Sequence, residues 1–308
     1  MTVAQRGVAF GLLALIVVWA EAPACQIVGG YQSFSPHPCN VLLPSKLDER
    51  NIATQVLVKQ TDGSCYWIDQ TEVTVGQYAQ FLNQFAQDGQ APPWDMQRCA
   101  WKGAPSDPAN DASECATEAR NLESSPFDPN MPIRCIDWCD AEAFCAWAGT
   151  EDALCGSNAN PEGVFEPSNT QDYWGDACSV NGAFYPNGAS PVLDQCNVGL
   201  AEAGQCVSIL DMNNCGPTYV DSFPGCVSQA SSALNMVGNV AEWVVLCDSH
   251  SDGGPDTPCQ HRGGSFADSL ESATCTTVET SARNTRDRTL GLRCCGTLTP
   301  TEHNQVAK

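Results

Sequence analysis

Asn235-Met-Val-Gly-Asn-Val-Ala-Glu-Trp243 is the stretch that says most about the fold of this chain. Asn235 and Glu242 place two hard oxygen donors in one short segment, and Gly238 permits a backbone turn that other residues resist. Carbonyl groups exposed by such a turn can complete an oxygen cage for Ca²⁺. Taken alone, the stretch favours a simpler interpretation, a glycine-containing turn that leads into a strand burying Trp243.

The first 24 residues have the pattern of an export signal. Arg6 precedes an apolar run over residues 8–20, and the small-residue pattern Ala22-Pro-Ala24 follows it. The run is too short for a stable membrane span, with an uncleaved N-terminal anchor as the alternative. No later stretch is long and apolar enough to cross a bilayer. We therefore expect a protein that is periplasmic, secreted or held at the cell surface.

The chain contains 19 cysteines, all at or after Cys25. So many cysteines indicate an oxidising compartment. An odd number leaves one that is free, intermolecular or modified. Cys25 directly follows the expected cleavage site, so a lipid anchor at Cys25 is possible, and ordinary cleavage after Ala24 is the alternative that the signal pattern favours.

The net charge is −22, from 36 acidic and 14 basic residues. This balance argues against nucleic acid and against anionic membrane surfaces as partners. It suits a secreted protein that holds Ca²⁺, and it equally suits plain solubility.

Composition divides the chain into four expected segments. These are a signal peptide over 1–24, an N-terminal extension over 25–60, a main domain over 61–297 and a disordered tail over 298–308. Within the extension, Cys39 can pair with Cys25 or with Cys65. Residues 150–223 are rich in Gly, Pro, Asn and Cys, which predicts long loops pinned by disulfides.

Two helices can be placed from their capping residues. Thr74 and Gln77 form a capping box, and apolar residues at helical spacing follow as far as Phe85. Asp137 is the expected N-cap of a second helix, which Gly149 ends. Short strands are expected around residues 242–246, 260–265, 275–282 and 291–295.

No familiar catalytic arrangement is visible. The four histidines are scattered, and the sequence has no nucleophile elbow, P-loop or dinucleotide-binding loop. Ser265 has no evident partner base. Paired carboxylates such as Asp137 and Asp140 serve as helix caps at least as often as they serve acid–base chemistry.

Taken together and in order, a series of strings resembles the formylglycine-generating enzyme, or sulfatase-modifying factor, family. The series covers residues 60–296, and it consists of Tyr66-Trp-Ile-Asp-Gln-Thr-Glu-Val-Thr74, Pro132-Ile-Arg-Cys-Ile-Asp-Trp138, Phe144-Cys-Ala-Trp-Ala-Gly149, Tyr185-Pro-Asn-Gly188, the 235–243 stretch, Arg262-Gly-Gly-Ser-Phe266 and Gly291-Leu-Arg-Cys294. The resemblance implies an α+β, C-type-lectin-like fold that is loop-rich and disulfide-stapled, with little regular secondary structure.

The resemblance also implies structural calcium. The implied ligands of one site are the side chains of Asn235 and Glu242 and the backbone carbonyls of Gly238 and Val240. For a second site, the implied ligands are Asn197, the Val198 carbonyl and a carboxylate near Asp211.

The resemblance implies one disulfide, which links the cysteine of the second expected helix to the final strand. In this chain it is Cys145–Cys294. Spacing and strand proximity suggest two further pairs, Cys178–Cys275 and Cys247–Cys259.

The resemblance is incomplete where the family's oxidases carry their chemistry. Those enzymes bind copper(I) through two cysteines after the Gly-Gly-Ser-aromatic string, since thiolates select that ion. Here the two positions are Asp268 and Ala273, so copper is not expected. Ser265 and Asp268 would line the corresponding groove, and Cys275 is expected in a disulfide.

The leading hypothesis is therefore an exported, calcium-stabilised, non-catalytic binding or surface module for a peptide, protein or glycan. The alternative is an oxidase of the formylglycine-generating type that acts on protein cysteine with O₂, for which Cys275 must be free. A third class, an Fe(II)-dependent sulfoxide-forming or hydroxylating relative, needs a histidine-rich partner domain that the scattered histidines do not indicate.

Overall fold

The structure is a computed structural model, and it describes thirteen parts of the chain. They are residues 37–38, 45–47, 52–60, 63–88, 92, 97–108, 128–149, 152–156, 172–188, 190, 195–199, 216–248 and 253–296. The expected signal peptide, Cys25, Cys39, Asp211 and the expected tail lie outside the described residues.

Short strands and three α-helices make up the regular structure of the described residues. In chain order they are β1 (His37–Pro38), β2 (Ser45–Leu47), β3 (Thr54–Lys59), β4 (Ser64–Asp69), α1 (Val75–Asp88), α2 (Trp138–Ala148), β5 (Asp152–Leu154), α3 (Tyr173–Cys178), β6 (Ala241–Cys247), β7 (Pro258–Arg262), β8 (Val278–Ala282), β9 (Leu290–Leu292) and β10 (Cys294–Gly296). A 3₁₀ turn, Val180–Gly182, follows α3. The predicted α+β class with little regular secondary structure is confirmed.

The first sheet is antiparallel and joins the two ends of the described chain. Its order is β2-β3-β4-β10-β5, and β1 also pairs with β4. In β10, Cys295 lies opposite Ile68 on one side and Ala153 on the other. The strand nearest the C-terminus therefore lies inside the sheet, between strands that precede it by more than a hundred residues.

The second sheet has the order β8-β7-β6-β9. β6 pairs antiparallel with β7 and parallel with β9, so Glu242 lies opposite Arg262 on one side and Gly291 on the other. Three of the strings quoted above therefore meet at one level of one sheet.

The capping box predicted for α1 is confirmed. The Gln77 N–H donates to Thr74 Oγ1 at 3.2 Å, and the Thr74 N–H donates to Gln77 Oε1 at 2.7 Å. The apolar face of the helix then buries Phe81 against α2, with its ring centroid 5.8 Å from that of Phe144 and 5.6 Å from that of Trp147. These aromatic contacts hold the two helices together.

The helix predicted after Asp137 is also confirmed. Asp137 Oδ1 accepts from the Asp140 N–H at 3.0 Å, and Asp140 Oδ2 accepts from the Asp137 N–H at 3.2 Å. At the other end the Gly149 N–H donates to the Cys145 carbonyl. Most side chains of α2 are buried, because the helix lies in the interior rather than on one face of the sheets.

Two buried tryptophans join the start of α2 to β6. The Trp138 indole N–H donates to the Val244 carbonyl at 2.8 Å, and the Trp243 indole N–H donates to the Ile136 carbonyl at 3.2 Å. Both rings are fully buried. Their polar nitrogens are satisfied inside the core, so the helix fixes the position of the strand that carries Glu242.

Six disulfides join pairs of described cysteines. They are Cys99–Cys139, Cys145–Cys294, Cys155–Cys295, Cys178–Cys275, Cys196–Cys226 and Cys247–Cys259. The three pairs expected from the sequence are among them. Cys65 and Cys135 are also disulfide-bonded, so every described cysteine is oxidised.

Several strand boundaries differ from the expectation. The strand expected over 260–265 ends at Arg262, because Gly263 and Gly264 have φ angles of +87° and +69°. The strand expected over 275–282 begins only at Val278, after a turn in which the Thr277 N–H donates to the Thr274 carbonyl. The strand expected over 291–295 is two strands in different sheets, separated at Arg293.

Other differences concern the N-terminal extension expected over 25–60 and the long loops expected over 150–223. β3, which falls within the expected extension 25–60, pairs with β4 over five residues. The expected boundary at residue 60 therefore falls inside a hairpin. The segment 150–223 contains β5 and α3, and α3 begins where Asp172 Oδ1 accepts from the Gly175 N–H at 3.0 Å. Among the described helices, none has the length and apolar character needed to span a membrane.

Candidate functional site

The 235–243 segment is a left-handed loop that ends in β6. Asn235, Gly238 and Asn239 have φ angles of +53°, +74° and +54°. A Cβ atom at Gly238 would lie 2.4 Å from the Asn197 carbonyl oxygen, so glycine is required by contact as well as by conformation. The turn predicted from Gly238 is confirmed, and the loop packs directly on Asn197.

Asn239 closes this loop with its side chain. Its amide nitrogen donates to Glu72 Oε1 at 2.8 Å, and its Oδ1 accepts from Asn197 Nδ2 at 3.0 Å and from the Thr218 N–H at 2.8 Å. Its backbone N–H donates to the Asn197 carbonyl at 2.7 Å. Asn239 therefore joins three separate parts of the chain and is fully buried.

Asn235 is satisfied on only one side of its amide. Nδ2 donates to the Val220 carbonyl at 2.9 Å and to Glu72 Oε2 at 3.2 Å. Oδ1 is buried and has no hydrogen-bond partner. A buried acceptor without a donor is costly, and a bound cation is one way to satisfy it.

Glu242 is held by a buried arginine from the Gly-Leu-Arg-Cys string. Arg293 Nη2 and Nε lie 2.9 and 3.0 Å from Glu242 Oε1, and Nε lies 3.1 Å from Oε2. The Trp174 indole N–H donates to Oε2 at 2.7 Å. Both carboxylate oxygens are thus engaged, and both charged side chains are almost completely buried.

The remaining donors of Arg293 bind backbone carbonyls. Nη1 donates to the Asp69 carbonyl and Nη2 to the Leu234 carbonyl, each at 2.7 Å. Next to it, the Cys294 N–H donates to Asp69 Oδ2 at 3.0 Å. The break between β9 and β10 therefore has a physical cause, since Arg293 turns inward to join both sheets to the 235–243 loop.

The charges around Arg293 do not balance. Burial, and after it the negative charge of Glu242, raise the pKa of Glu72 to about 7, against the opposing effects of Arg293 and of the Asn239 hydrogen bond. Burial would lower the pKa of Arg293, but Glu242 and Glu72 outweigh burial and raise it. Glu242 pairs directly with Arg293, and the buried carboxyl groups of Glu72 and Asp69 act on the same guanidinium electrostatically.

Some of the implied calcium ligands suit a cation better than others. Asn235 Oδ1 is an orphaned oxygen, and the carbonyls of Gly238 and Val240 accept no hydrogen bond from another described group. Glu242 would have to share an oxygen with Arg293 or Trp174. Within the described ranges no three His, Cys, Asp or Glu side chains converge to hold a metal. A calcium site here would therefore depend on amide and backbone oxygens.

The second implied site adjoins the first. Asn197 Nδ2 donates to the Gly216 carbonyl at 3.1 Å as well as to Asn239, and its carbonyl faces Gly238. Val198 also packs on Gly238, since its Cγ1 would lie 2.7 Å from a Cβ there. Asp211 lies outside the described residues, so the structure brings together two of the three implied ligands.

Asp268 and Ala273, where the resemblance would place copper cysteines, have structural roles. Asp268 Oδ2 accepts from the Ser265 N–H and from Ser265 Oγ, both at 2.7 Å, and so closes a turn. Ala273 is completely buried against Gly264. Cys275 is bonded to Cys178. Ser265, for which the sequence offered no partner base, is buried and donates to Asp268.

Sequence reasoning did not assign roles to Glu72, Asn239 or Arg293. All three lie in strings quoted for the resemblance, so a signal was present in the Glu-Val-Thr and Gly-Leu-Arg-Cys patterns. Their partners lie up to 224 residues away, for Arg293 and Asp69. No local pattern predicts contacts of that separation.

A family model matches most of the chain. Residues 41–298 match the family model described as the sulfatase-modifying factor enzyme 1-like domain, FGE-sulfatase. No curated protein matches the sequence.

Solved structures similar to this chain share little sequence with it. The crystal structure of CarF is 15% identical, covers 86% of this chain and 100% of its own, and has a TM-score of 0.47. PvdO from Pseudomonas aeruginosa is 14% identical over 85% of this chain and 100% of its own, with a TM-score of 0.44. Treponema denticola variable protein 1 is 14% identical over 85% and 98%, with a TM-score of 0.42.

Proposed function

The chain belongs to the sulfatase-modifying factor enzyme 1-like (FGE-sulfatase) family, and on that premise we propose that it is an exported, calcium-stabilised member that acts as a non-catalytic binding or surface module. Its ligand would be a peptide, a protein or a glycan. In this proposal the chain has the family's fold and catalyses no oxidation.

One observation carries the non-catalytic part of the proposal, the Cys178–Cys275 disulfide. A thiol-dependent oxidase needs a free cysteine beside the Gly-Gly-Ser-Phe turn. Asp268 and Ala273 supply a carboxylate and a methyl group there, and the nearby Cys275 is bridged. Since every described cysteine is oxidised, no described residue offers the soft thiolate pair that selects copper(I).

An assay for aldehyde formation tests this part of the proposal. The full chain would be incubated with copper, O₂, a thiol reductant and a cysteine-containing peptide, with an active family oxidase as the positive control. We expect no aldehyde product by mass spectrometry. Product above the no-enzyme level would overturn the proposal, and its loss in Cys275→Ser would assign the activity to that thiol.

Export is supported by the cysteines and by the N-terminal sequence. Disulfides persist in oxidising compartments, and the 14 described cysteines are all bonded. Expression with the native first 24 residues in a bacterial host would check this directly. We expect cleaved protein outside the cytosol, whereas full-length protein in the cytosolic fraction would contradict export. Labelling with a radioactive fatty acid would show whether Cys25 carries a lipid.

The calcium part of the proposal rests on the orphaned Asn235 Oδ1 and on the excess of buried carboxyl groups. A bound cation would satisfy the first and offset the second. A ligand present at about 100 times its dissociation constant stabilises the folded state by about 2.7 kcal/mol. We therefore expect the melting temperature to fall by several degrees when EDTA replaces calcium.

The matched variants are Asn235→Ala and Asn284→Ala. Asn284 is an exposed asparagine outside the loop. Titration calorimetry with CaCl₂ should show heat for the parent and for Asn284→Ala, and none for Asn235→Ala. Equal melting temperatures in calcium and EDTA, together with no heat for the parent, would contradict the calcium site.

The ligand class calls for a separate measurement. Purified protein would be applied to printed glycan arrays and to peptide arrays. Reproducible binding on one type of array assigns the class, and binding on neither contradicts a role in recognising peptides or glycans.

A further inference from the structure

A second buried charge cluster lies where Lys102 meets the start of α2. Lys102 Nζ contacts Asp137 Oδ2 and lies 3.0 Å from Asp140 Oδ2. The exposed fractions of the three side chains are 6%, 4% and 0%. Nζ also donates to Ser106 Oγ at 3.1 Å. An amine is thus held between two carboxyl groups and away from bulk water.

The surrounding structure fixes this geometry from both sides. The Cys99–Cys139 disulfide ties the segment that carries Lys102 to α2. The Ser106 N–H donates to Asp140 Oδ1 at 3.0 Å, and the capping box holds Asp137 against Asp140. The amine and the two carboxyl groups therefore lie together in the folded state, and no large motion is needed to bring them into contact.

We propose that Lys102 and Asp137 form an intramolecular amide bond between Nζ and Cγ, with Asp140 as the group that moves the proton. The inference does not depend on the proposed function, since neither residue belongs to the 235–243 loop or to the 265–275 turn.

The reaction is a condensation without a redox step. A proton passes from the Lys102 ammonium to the Asp137 carboxylate, which leaves a neutral amine and a neutral carboxyl group. The nitrogen lone pair attacks Asp137 Cγ, and the Nζ–Cγ bond forms. Asp140 accepts the second proton from nitrogen and delivers it to the departing hydroxyl, so that the Cγ–Oδ2 bond breaks and one water leaves. An ammonium and a carboxylate become one amide and one water, and charge and atoms balance.

Burial favours this reaction in two ways. An ion pair removed from water loses much of its advantage over the neutral amine and acid, from which the amide forms. Fixed contact also replaces a bimolecular encounter, and well-oriented groups of this kind reach effective concentrations of about 10⁵ M or more. Burial, and after it the charge of Asp140, raise the pKa of the Asp137 carboxyl to about 7 despite Lys102, which extends the pH range over which this carboxyl is protonated.

The product is compatible with the helix start. Asp137 uses Oδ1 to accept from the Asp140 N–H and presents Oδ2 to Lys102. In the amide, nitrogen takes the place of Oδ2 and Oδ1 remains as the carbonyl oxygen. The N-cap hydrogen bond is therefore retained after the reaction.

Peptide mapping of the full, folded chain tests the proposal. The protein would be denatured, reduced, alkylated and digested with trypsin, and its peptides sequenced by tandem mass spectrometry. We expect a branched peptide that joins the segments around Lys102 and Asp137, lighter by one water than the two linear peptides combined. Complete recovery of both linear peptides, with trypsin cleavage after Lys102, would overturn the proposal.

Three variants separate the covalent bond from a plain ion pair. Lys102→Arg retains the positive charge but lacks the amine, so no branched peptide is expected. Asp137→Asn retains an N-cap and should give the same branched peptide with loss of ammonia in place of water. Asp140→Asn should lower the branched fraction at least tenfold at equal times after purification. A branched fraction unchanged in Asp140→Asn would contradict the role given to Asp140.

Discussion

The buried region around Arg293 and the turn over residues 263–275 both adjoin the second sheet. They differ in how strongly side-chain contacts with distant residues constrain them. Arg293 bonds to groups from distant parts of the chain, namely Glu242, Asp69 and Leu234. In the turn, the side chain of Asp268 accepts hydrogen bonds from Ser265, three residues earlier, while its backbone carbonyl accepts from the Gly199 N–H. The side chains around Arg293 therefore join distant parts of the chain, whereas the turn is joined to the rest by its backbone and by the Cys178–Cys275 disulfide, and the Asp268 side chain has only a local role.

The difference is consistent with a family member that carries Asp268 and Ala273 where the resemblance would place copper cysteines. Replacement of a residue in the Arg293 network leaves a buried charge or a buried donor without its partner, and either is costly. Replacement of a residue in a local turn removes one or two hydrogen bonds and leaves the sheets intact. Asp268 and Ala273 in the turn are thus compatible with a stable protein.

Arg293→Met should produce the largest effect. It leaves Glu242 buried without its positive partner, and breaking such a pair costs about 3–5 kcal/mol. The free energy of unfolding, measured by urea denaturation with the disulfides intact, should fall by that amount. Lys59→Met, at an exposed lysine, is the control and should be neutral within about 0.5 kcal/mol.

A second substitution sharpens this result. Glu242→Gln in the Arg293→Met background removes the uncompensated charge, so part of the lost stability should return. If the double variant is less stable than Arg293→Met alone, charge burial is not the reason for the loss.

Gly238→Ala should produce an intermediate effect. The new Cβ would have a positive φ and would meet the Asn197 carbonyl, so we expect a loss of roughly 2–5 kcal/mol. Gly182→Ala is matched in φ, at +69°, but has no atom within 4 Å of the new Cβ. It should cost only about 1–2 kcal/mol. Equal losses for the two variants would mean that close packing of the loop on Asn197 contributes nothing.

Asp268→Ala should produce the smallest effect. It removes the two hydrogen bonds that Ser265 donates to the partly exposed Asp268 side chain. The loss should cost about 1 kcal/mol. Asp268→Asn keeps an acceptor oxygen and should lie closer to the parent in thermal denaturation. A loss from Asp268→Ala as large as that from Arg293→Met would remove the distinction between the two regions.

The sequence predicted the elements that local interactions determine. Both helices follow from capping residues within three positions of each other, Thr74 with Gln77 and Asp137 with Asp140. The loop at Gly238 follows from a conformation that glycine tolerates best. In each case the group and its partner are neighbours in the chain, so the local sequence pattern predicts the local structure.

The sequence did not predict the elements that distant contacts determine. Arg293 interrupts a strand because Glu242, 51 residues away, draws it inward. β3 belongs to the first sheet because it pairs with β4, which pairs in turn with β10. For the candidate calcium site, the sequence indicated Asn235 and Glu242 but not Glu72, whose carboxyl group both asparagines of the loop contact.

The place of β10 has a consequence for the order in which the protein matures. Cys294 and Cys295 are the bonded partners of Cys145 and Cys155, and their strand fills the gap between β4 and β5. A chain that crosses a membrane N-terminus first therefore exposes Cys145 and Cys155 to oxidants well before their native partners arrive. Correct pairing then depends on delaying oxidation or on reshuffling it, so the yield of native protein should rise with the disulfide isomerase capacity of the compartment.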